Sequence, residues 1–348
     1  MVKIELKRSR LEVRLDYKKL KLAWTIEPRY WRNPLLAWLA LCALPLLSLM
    51  GGLQWLSIFT TANLCATIAL PLLLQIIGTG RVNLGPQLFV ALGGYTAGLL
   101  SINYKMEALQ TLPIVIVVAL LVGLSLSLLT ILARGIYFSL ITLIIPLVFM
   151  EITFVFSDVF KGETGIYGIT PLFRLGSHLI NSIAYYYASL MILTLYLFLV
   201  DKILRSRWGM VYAAINNDED VAMMMGVDIN RHKIFVFTVT SVLTAIAGWF
   251  FAHYFGTFAG VTYLPFTFMI KILFIVLIGG RAQAYGTIAG AYFVSILDEL
   301  LRSYLGNISH FVFPSILLVL LVALPEGLWG IYRKHKYREI YPTIRIRR

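Results

Sequence analysis

Histidines and a glycine-spaced segment are the first features of this sequence that could support chemistry. GTGRVNLG, at residues 78–85, lacks the Gly-Lys-Ser/Thr ending with which a P-loop lysine reaches nucleotide phosphates. No two histidines form the H-x-x-x-H pair that holds a metal ion on one helix face, since they are far apart, at His178, His232, His253, His310 and His335. The sequence therefore predicts no metal site, no cofactor and no catalytic centre in this chain.

Charged residues inside apolar runs are a second group of candidates. They are Glu151, Lys271 and the pair Asp298 and Glu299. A charge that faces lipid at the middle of a membrane helix costs roughly 2.5–3.5 kcal/mol, so we expect these residues to face the protein interior or to lie near an interface. Glu151, within IPLVFMEITFVF, leaves three alternatives open: a hydrogen-bonding or ion-pairing role inside the bundle, a place on a substrate path, and an interfacial position.

The elements that position these residues follow from the composition. The 348 residues are 59% hydrophobic and 14% charged, with a mean hydropathy of +0.82, which is too little polar surface for a soluble protein of this size. Residues 33–80 contain no charged side chain, and this length exceeds the ~20 residues that cross a bilayer once. The sequence therefore predicts a membrane protein whose chain turns back near Gly51 and Gly52.

Ten apolar runs are candidate transmembrane helices, which predicts an all-α polytopic membrane protein of about ten spans. Two of the runs, 84–101 and 264–279, are short and flanked by glycine, so either could be broken or re-entrant. The ten runs are 34–50, 53–77, 84–101, 111–133, 136–156, 184–200, 234–255, 264–279, 285–301 and 310–331.

The net charge of +13 is concentrated at the two ends of the chain. Residues 1–33 hold ten Lys and Arg against four Asp and Glu, and residues 332–348 hold seven against one. This distribution predicts two basic cytoplasmic tails, 1–33 and 332–348, around a transmembrane domain at 34–331. We expect no cleaved secretory signal, contact of the tails with anionic membrane lipid, and no nucleic-acid binding.

The topology rule also sorts the connecting loops. With ten spans and both ends inside, Arg81, Arg134, Arg281 and the interval 201–233 fall on the cytoplasmic side. The only Lys and Arg residues in the outer loops are then Lys105, Lys161, Arg174 and Arg302. The N-terminal tail alternates apolar and charged residues, and so does the C-terminal ThrIleArgIleArgArg run, which favours short strands.

The polar interval 201–233 contains NNDEDVAMMMGVDINRHK, at residues 216–233. We predict a helix at about 218–225 that Asn217 caps, with acidic residues in its first turn and a left-handed stop at Gly226. Its remaining residues are too apolar for a solvated loop, which favours either a groove on another protein or packing under its own spans. The acidic residues are Asp218, Glu219 and Asp220, and the apolar ones are Val221, Ala222, Met223, Met224 and Met225.

Four segments in one order resemble the LivM-type permease subunits of ABC importers for branched-chain amino acids. They are RVNLGPQLFVALGGYTAG (81–98), RGIYFSLITLIIPLVFMEI (134–152), 206–233 with AIAGWFFAHYFG (245–256), and VLIGGRAQAYGTIAGAYFVSILDELLR (276–302), and ALPEGLWGIYR (323–333) fits as well. The resemblance covers about residues 70–350. Asn83, Pro86 and Val221 depart from the usual pattern of that family, which bears on the substrate more than on the class.

The resemblance implies a type II ABC importer fold in the cytoplasmic membrane and a function as a permease subunit. Its partners would be a second permease subunit, two ATP-binding cassette subunits and an extracytoplasmic solute-binding protein. Residues 217–226 would form the coupling helix that contacts the ATPase. The alternatives are a relative that carries urea or short amides, and an ion-coupled secondary transporter that uses Glu151 or Asp298.

Two further segments are candidates for the translocation path. In 81–98, the glycines 85, 93, 94 and 98 allow close helix packing, while Asn83 and Gln87 could meet a ligand at an interrupted helix. FKGETGIYGI, at 160–169, resembles the Thr-Gly stretch of the family. Thr164 within it fits an outer gate, and a simple turn is the alternative.

Overall fold

The structure is a computed structural model that describes residues 2–7, 10–17, 20–26, 38, 41–45, 52–133, 135–280, 284–323 and 327. The chain divides into two compact units, residues 1–56 and 57–348. The first predicted span, at 34–50, lies mostly outside the described residues, and so do the C-terminal tail, Arg134 and Arg281.

The N-terminal unit contains a three-stranded antiparallel sheet. Its strands are β1 (Val2–Lys7), β2 (Arg10–Tyr17) and β3 (Leu20–Ile26), in the order β1-β2-β3. The register places Ile4 opposite Val13 and Val13 opposite Trp24, so apolar residues pair across all three strands. The alternation in the sequence predicted strands here, and that prediction is confirmed.

The regular structure in the described residues of the second unit is helical, apart from one two-stranded sheet formed by β4 (Ile166–Tyr167) and β5 (Thr257–Phe258). A single turn of 3₁₀ helix at Gly306–Ile308 precedes the last described helix. The helices, labelled in chain order, are α1 (Leu53–Thr79), α2 (Pro86–Tyr104), α3 (Ala108–Ser127), α4 (Leu129–Leu132), α5 (Ile136–Val155), α6 (Ser157–Phe160), α7 (His178–Arg205), α8 (Arg207–Asn217), α9 (Glu219–Met224), α10 (Ile229–Phe255), α11 (Gly260–Tyr263), α12 (Phe266–Gly279), α13 (Ala284–Leu305) and α14 (Ser309–Ala323).

Six helical segments in the described part of the chain are long and apolar enough to cross a membrane, and a shorter apolar helix covers Phe311–Ala323. The all-α polytopic class is therefore confirmed, whereas the count of about ten spans is not. Two predicted spans, α2 and α13, are helical but outside the six. In α13 the reason is the polar group Asp298, Glu299 and Arg302 near its end.

The two runs that could be broken behave differently. The run at 84–101 becomes one continuous helix, α2, which starts with Pro86 directly after Gly85. The run at 264–279 extends back to Gly260 and is interrupted at Leu264 and Pro265, between α11 and α12. The interruption follows from Pro265, which has no backbone N–H to continue the hydrogen-bond ladder of α11.

The centre of the second unit is the contact between α2 and α10. A Cβ atom at Gly93 of α2 would overlap the carbonyl oxygen of Ala245 on α10, and one at Gly248 of α10 would overlap that of Val90 on α2. Glycine at both positions lets the two backbones touch, as the small residues of 81–98 predicted. In contrast, most of the apolar side chains of α3 and α5 are only partly buried or exposed on this chain.

The polar connections gather at the two ends of α10. Near its start, Lys233 lies beside the segment after α1 and beside α9. Near its end, His253 contacts the carbonyl oxygen of Thr170, whose backbone N–H donates to Ser101. Lys233 and His253 are twenty residues apart on one helix, which separates them by about 30 Å. Loops predicted on opposite sides of the membrane are thus at opposite ends of the helices.

Candidate functional site

The short helix α9 begins one residue later than the sequence predicted. Asp218, and not Asn217, is the N-cap: its backbone is extended, and its carboxylate accepts from the backbone N–H groups of Asp220 at 2.9 Å and Val221 at 3.1 Å. Asn217 is the last residue of α8. Both residue types cap helices well, and the end of α8 decides between them. Glu219 and Asp220 occupy the first turn, where the helix dipole favours negative charge.

Gly226 ends this helical segment, as predicted. Its φ of +83° lies in the left-handed region, which glycine adopts without strain. The N–H of Gly226 donates to the carbonyl of Met223 at 2.9 Å, and that of Val227 donates to Ala222 at 3.2 Å. The second bond spans the whole last turn, as in the glycine stop that closes many helices.

The two sides of α9 have different surroundings. Ala222 is 1% exposed and packs in a cluster with Tyr212, Ile215, Ile229 and Val236, so this side of the helix lies against its own chain. The other side is open: Val221, Met223, Met224 and Met225 are 51–87% exposed. One side of α9 therefore packs against its own chain, and the other side exposes the apolar surface that a groove on another protein would require.

Glu219 joins α9 to two other parts of the chain. Its carboxylate oxygens lie 3.0 and 3.1 Å from a guanidinium nitrogen of Arg81, in the segment after α1. The Nζ atom of Lys233 on α10 is 2.6 Å from one of the same oxygens. Arg81 and Lys233 are 8% and 3% exposed, and Glu219 is 33% exposed. We call these three residues the Glu219 cluster.

The charges of the cluster fix the protonation state of the carboxylate. Partial burial acts to raise the pKa of Glu219, but the hydrogen bond and charge of Lys233, together with the charge of Arg81, outweigh it and hold the pKa below the ordinary value of 4.5. Glu219 is therefore an anion at neutral pH. It compensates two cations that are themselves nearly buried.

Arg81 also connects the cluster to α4. Its second guanidinium nitrogen donates to the carbonyl of Thr130 at 2.8 Å and to that of Ala133, at the end of α4. The sequence shows Arg81 and Lys233 as cations next to apolar runs, and it does not indicate that they contact Glu219. No pattern of neighbouring residues could predict this contact, because Arg81 and Glu219 are 138 positions apart.

Neutral polar side chains form a second group just before α2. Asn83 donates to the side-chain oxygen of Gln75 at 3.0 Å and accepts the N–H of Gly85 at 2.8 Å. Thr142 of α5 accepts the N–H of Leu84 at 3.1 Å. A small crevice opens beside them, lined by Asn83, Gly85, Leu88, Phe89, Leu126, Leu129, Thr142, Ile145 and Phe237.

Gln87, the second residue of α2, is fully buried, and neither its amide nitrogen nor its amide oxygen has a hydrogen-bond partner among the described residues. The amide nitrogen of Gln75 is in the same condition. A buried amide without a partner costs about 1–3 kcal/mol, so this arrangement needs an explanation beyond packing. Gln75, Asn83 and Gln87 are thus a polar group of three buried amides around the start of α2 that is incompletely paired, and among the described residues no hydrogen bond joins Gln87 to the other two.

Glu151 and Thr164 are not part of that group. Glu151 is exposed on α5, nine residues and so about 14 Å beyond Thr142, and it has no hydrogen bond or ion pair with any described residue. The structure does not show the intramolecular partner that its first alternative requires. Thr164 donates to the carbonyl of Lys161 at 2.7 Å within an exposed turn, at the end of the molecule opposite to α9.

Comparison with known proteins identifies the family. Two proteins named high-affinity branched-chain amino acid transport system permease protein LivM, from Salmonella typhimurium and Escherichia coli, are each 24% identical over 282 residues, which is 73% of this chain and 65% of theirs. The chain thus matches a little less than two thirds of their length. A probable branched-chain amino acid transport permease protein LivH from Methanocaldococcus jannaschii is 23% identical over 260 residues, 71% of this chain and 79% of that protein.

No solved structure matches the chain. A family model, the permease component of branched-chain amino acid transport systems, matches residues 54–324, which is most of the chain and includes every helix from α2 to α14. The resemblance seen in the sequence is thereby confirmed, and the chain belongs to the family of branched-chain amino acid transport system permease components.

Proposed function

We propose that this chain is a permease subunit of an ABC importer that carries branched-chain or related amino acids across the cytoplasmic membrane. A second permease subunit would complete the pore, an extracytoplasmic binding protein would deliver the solute, and two ATP-binding cassette subunits would hydrolyse ATP. The family supports this proposal, and so do the apolar spans. Relatives that carry urea or short amides are the alternative for the substrate, which an uptake assay with each labelled solute decides.

The ATPase would bind at the segment 217–226, and its contact would be the exposed side of α9, since Glu219 pairs with Arg81 and Lys233 of its own chain. The observation that carries this assignment is the contrast between its two sides, since Ala222 holds the helix against its own chain while Met223, Met224 and Met225 remain exposed. Flexible, exposed methionines suit an apolar groove on another protein. The meeting of α9, Arg81 and Ala133 at one end agrees with the charge distribution, which would place that end and both termini in the cytoplasm.

The exposed side of α9 gives the direct test. In Met224→Glu and Met225→Glu, a charge would enter the apolar contact without disturbing Ala222, so we expect ATPase association and amino-acid uptake to fall together by roughly tenfold or more. Copurification of the ATPase and uptake of labelled leucine measure the two effects. Met224→Leu, which keeps the apolar surface, and Asn230→Glu, which adds the same charge at an exposed position outside α9, are the controls.

Stably inserted Met224→Glu and Met225→Glu proteins that keep both their ATPase and their uptake would exclude α9 as the binding surface. An ion-coupled transporter remains the second candidate for the energy source, because Glu151 is a carboxylate in an apolar helix. Uptake that survives ATP depletion but stops when the ion gradient collapses would select it.

The translocation path would pass the polar group that contains Asn83 and Gln87. The unpaired amide of Gln87 supports this proposal, because a polar ligand could supply the hydrogen bonds that the protein does not. Glu151 and Thr164 remain proposals for the same path, at the opposite end of the helices.

A further inference from the structure

The Glu219 cluster is the charged connection between α9 and the spans. Among the residues that the structure describes, no other side chain of α9 forms an ion pair with the rest of the chain. Asp218 uses its carboxylate to cap the helix itself, and Ala222 contributes an apolar contact that has no direction. The position of α9 relative to the spans is therefore directed by Glu219.

The two cations that hold Glu219 belong to different parts of the chain, one inside a span and one in the segment between two spans. Lys233 is four residues after the start of α10, so it moves together with that helix. Arg81 follows α1 and leads into the segment 82–85, which two hydrogen bonds fix to α5: Ser139 donates to the carbonyl of Val82 at 2.7 Å, and the N–H of Leu84 donates to Thr142 at 3.1 Å. A shift of the Glu219 carboxylate would consequently displace α10 and the start of α2 together.

We propose that Glu219 is a positioning residue, the ionic joint through which a displacement of α9 reaches α2 and α10. This inference rests on the proposed function, in which the ATPase moves α9, and it adds the residues that pass the movement to the helices around Gln87. The charges couple the movement because two nearly buried cations share one carboxylate. If the carboxylate moved away alone, both cations would be left nearly buried without this counter-ion, which is unfavourable.

The test uses the complete importer, with its ATPase and binding-protein subunits, reconstituted in lipid vesicles. Glu219→Gln keeps the size of the side chain and removes the charge, whereas the exposed methionines that would contact the ATPase are unchanged. We expect ATPase association to stay within about twofold, while uptake per ATP hydrolysed falls on the order of tenfold, the size of a typical coupling free energy. Glu219→Asp, which keeps the charge, should restore part of that ratio.

Asp201→Asn is the matched control. Asp201 pairs with Arg205 at 2.8 Å on α7, so the substitution removes one charge and one ion pair without touching α9. It should leave uptake per ATP unchanged. An equal effect of Glu219→Gln and Asp201→Asn would overturn the inference. Loss of ATPase association in Glu219→Gln, in parallel with uptake, would overturn it too, because Glu219 would then act at the binding surface itself.

A second variant decides the question if Glu219→Gln does not insert. Lys233→Gln removes one of the two cations and leaves Glu219 paired with Arg81, so the site becomes neutral and should fold. We expect a smaller fall in uptake per ATP, of roughly three- to fivefold, because one of the two links is lost. An unchanged ratio in Lys233→Gln would contradict the joint. The Met224→Glu result stands apart from all of these, since it tests whether α9 binds the ATPase.

Discussion

Glu219 and Asp298 are both carboxylates beside a lysine, but they connect different kinds of segment. Glu219 is shared by Arg81 and Lys233, which belong to parts of the chain far from α9 in sequence. Asp298 on α13 pairs with Lys271 on α12 at 2.6 Å, and Arg302 is a more distant neighbour at 3.9 Å. The helices α12 and α13 follow each other and already pack together.

The difference shows what each ion pair can contribute. The Lys271–Asp298 pair lies within a helix contact that apolar residues also maintain, so its main effect is to neutralise two charges in the membrane domain. The Glu219 cluster holds a six-residue helix that is otherwise held by the apolar packing of Ala222, which has no direction, so the charges set the position of the helix. Replacing both members of the first pair should therefore be tolerated, whereas the second site should be sensitive to any loss of charge.

The largest effect is expected from breaking the Lys271–Asp298 pair on one side only. Lys271→Met removes the near cation of Asp298 and leaves it with Arg302, which is 3.9 Å away on a 60% exposed side chain and compensates the charge poorly. This should destabilise the protein by about 3–5 kcal/mol, whereas Lys271→Met with Asp298→Leu should come within about 1 kcal/mol of the native protein. Thermal unfolding in detergent measures both variants. A double variant as unstable as the single one would show that the pair has a structural role beyond neutralisation. Uptake by the double variant is a separate test, because a coupling carboxylate at position 298 would be required for transport.

Gln87 extends the comparison to a buried polar side chain with no partner. Gln87→Leu removes an unpaired amide, so stability should stay the same or rise by about 1 kcal/mol. Uptake should nevertheless fall by roughly tenfold, which corresponds to one lost hydrogen bond to the solute of about 1.4 kcal/mol. Unfolding and uptake are measured on the same preparation. Normal uptake in a stable Gln87→Leu protein would remove Gln87 from the translocation path.

Gln75→Leu is the matched control for Gln87→Leu. The oxygen of Gln75 accepts from Asn83 at 3.0 Å, so this substitution leaves a buried donor without a partner. It should destabilise the protein by about 1–3 kcal/mol. If Gln75→Leu and Gln87→Leu have the same effect on stability, the distinction between paired and unpaired amides fails.

The sequence predicted those features that depend on neighbouring residues. The stop at Gly226 was predictable because a positive φ favours glycine wherever the helix must end. The close packing of 81–98 was predictable from its small residues, although the partner helix, which Gly93 meets at Ala245, was not. The N-cap was wrong by one position because Asn217 and Asp218 are adjacent and both suit it.

Features that depend on the folded chain could not be predicted in the same way. Arg81, Glu219 and Lys233 are each ordinary charges in the sequence, and only the packing of α1, α9 and α10 brings them together. The exposure of Glu151 and the burial of Ala222 also follow from tertiary packing, since both residues lie in mostly apolar helical stretches. Periodicity and capping rules do not contain this information.

The smallest effect is expected from titrating the Glu219 cluster, because its carboxylate is one-third exposed and water screens its charge. Burial raises the pKa of Glu219, but Lys233 and Arg81 lower it further, so its folded-state pKa lies below the ordinary 4.5. Such a group stabilises the folded protein fully above its unfolded-state pKa, and the contribution is lost as the pH falls through the folded-state pKa.

The melting temperature of the native protein should therefore exceed that of Glu219→Gln by a constant amount at neutral pH and above, and the difference should shrink only below about pH 4.5. Comparing the two proteins cancels most of the effect of other carboxylates that titrate in the same range. A difference that already disappears between pH 6 and 7 would mean that Glu219 is not held as an anion by its two cations. A difference that persists unchanged to pH 3 would mean that its charge does not stabilise the fold, and the contrast with the Lys271–Asp298 pair would then have to rest on position alone.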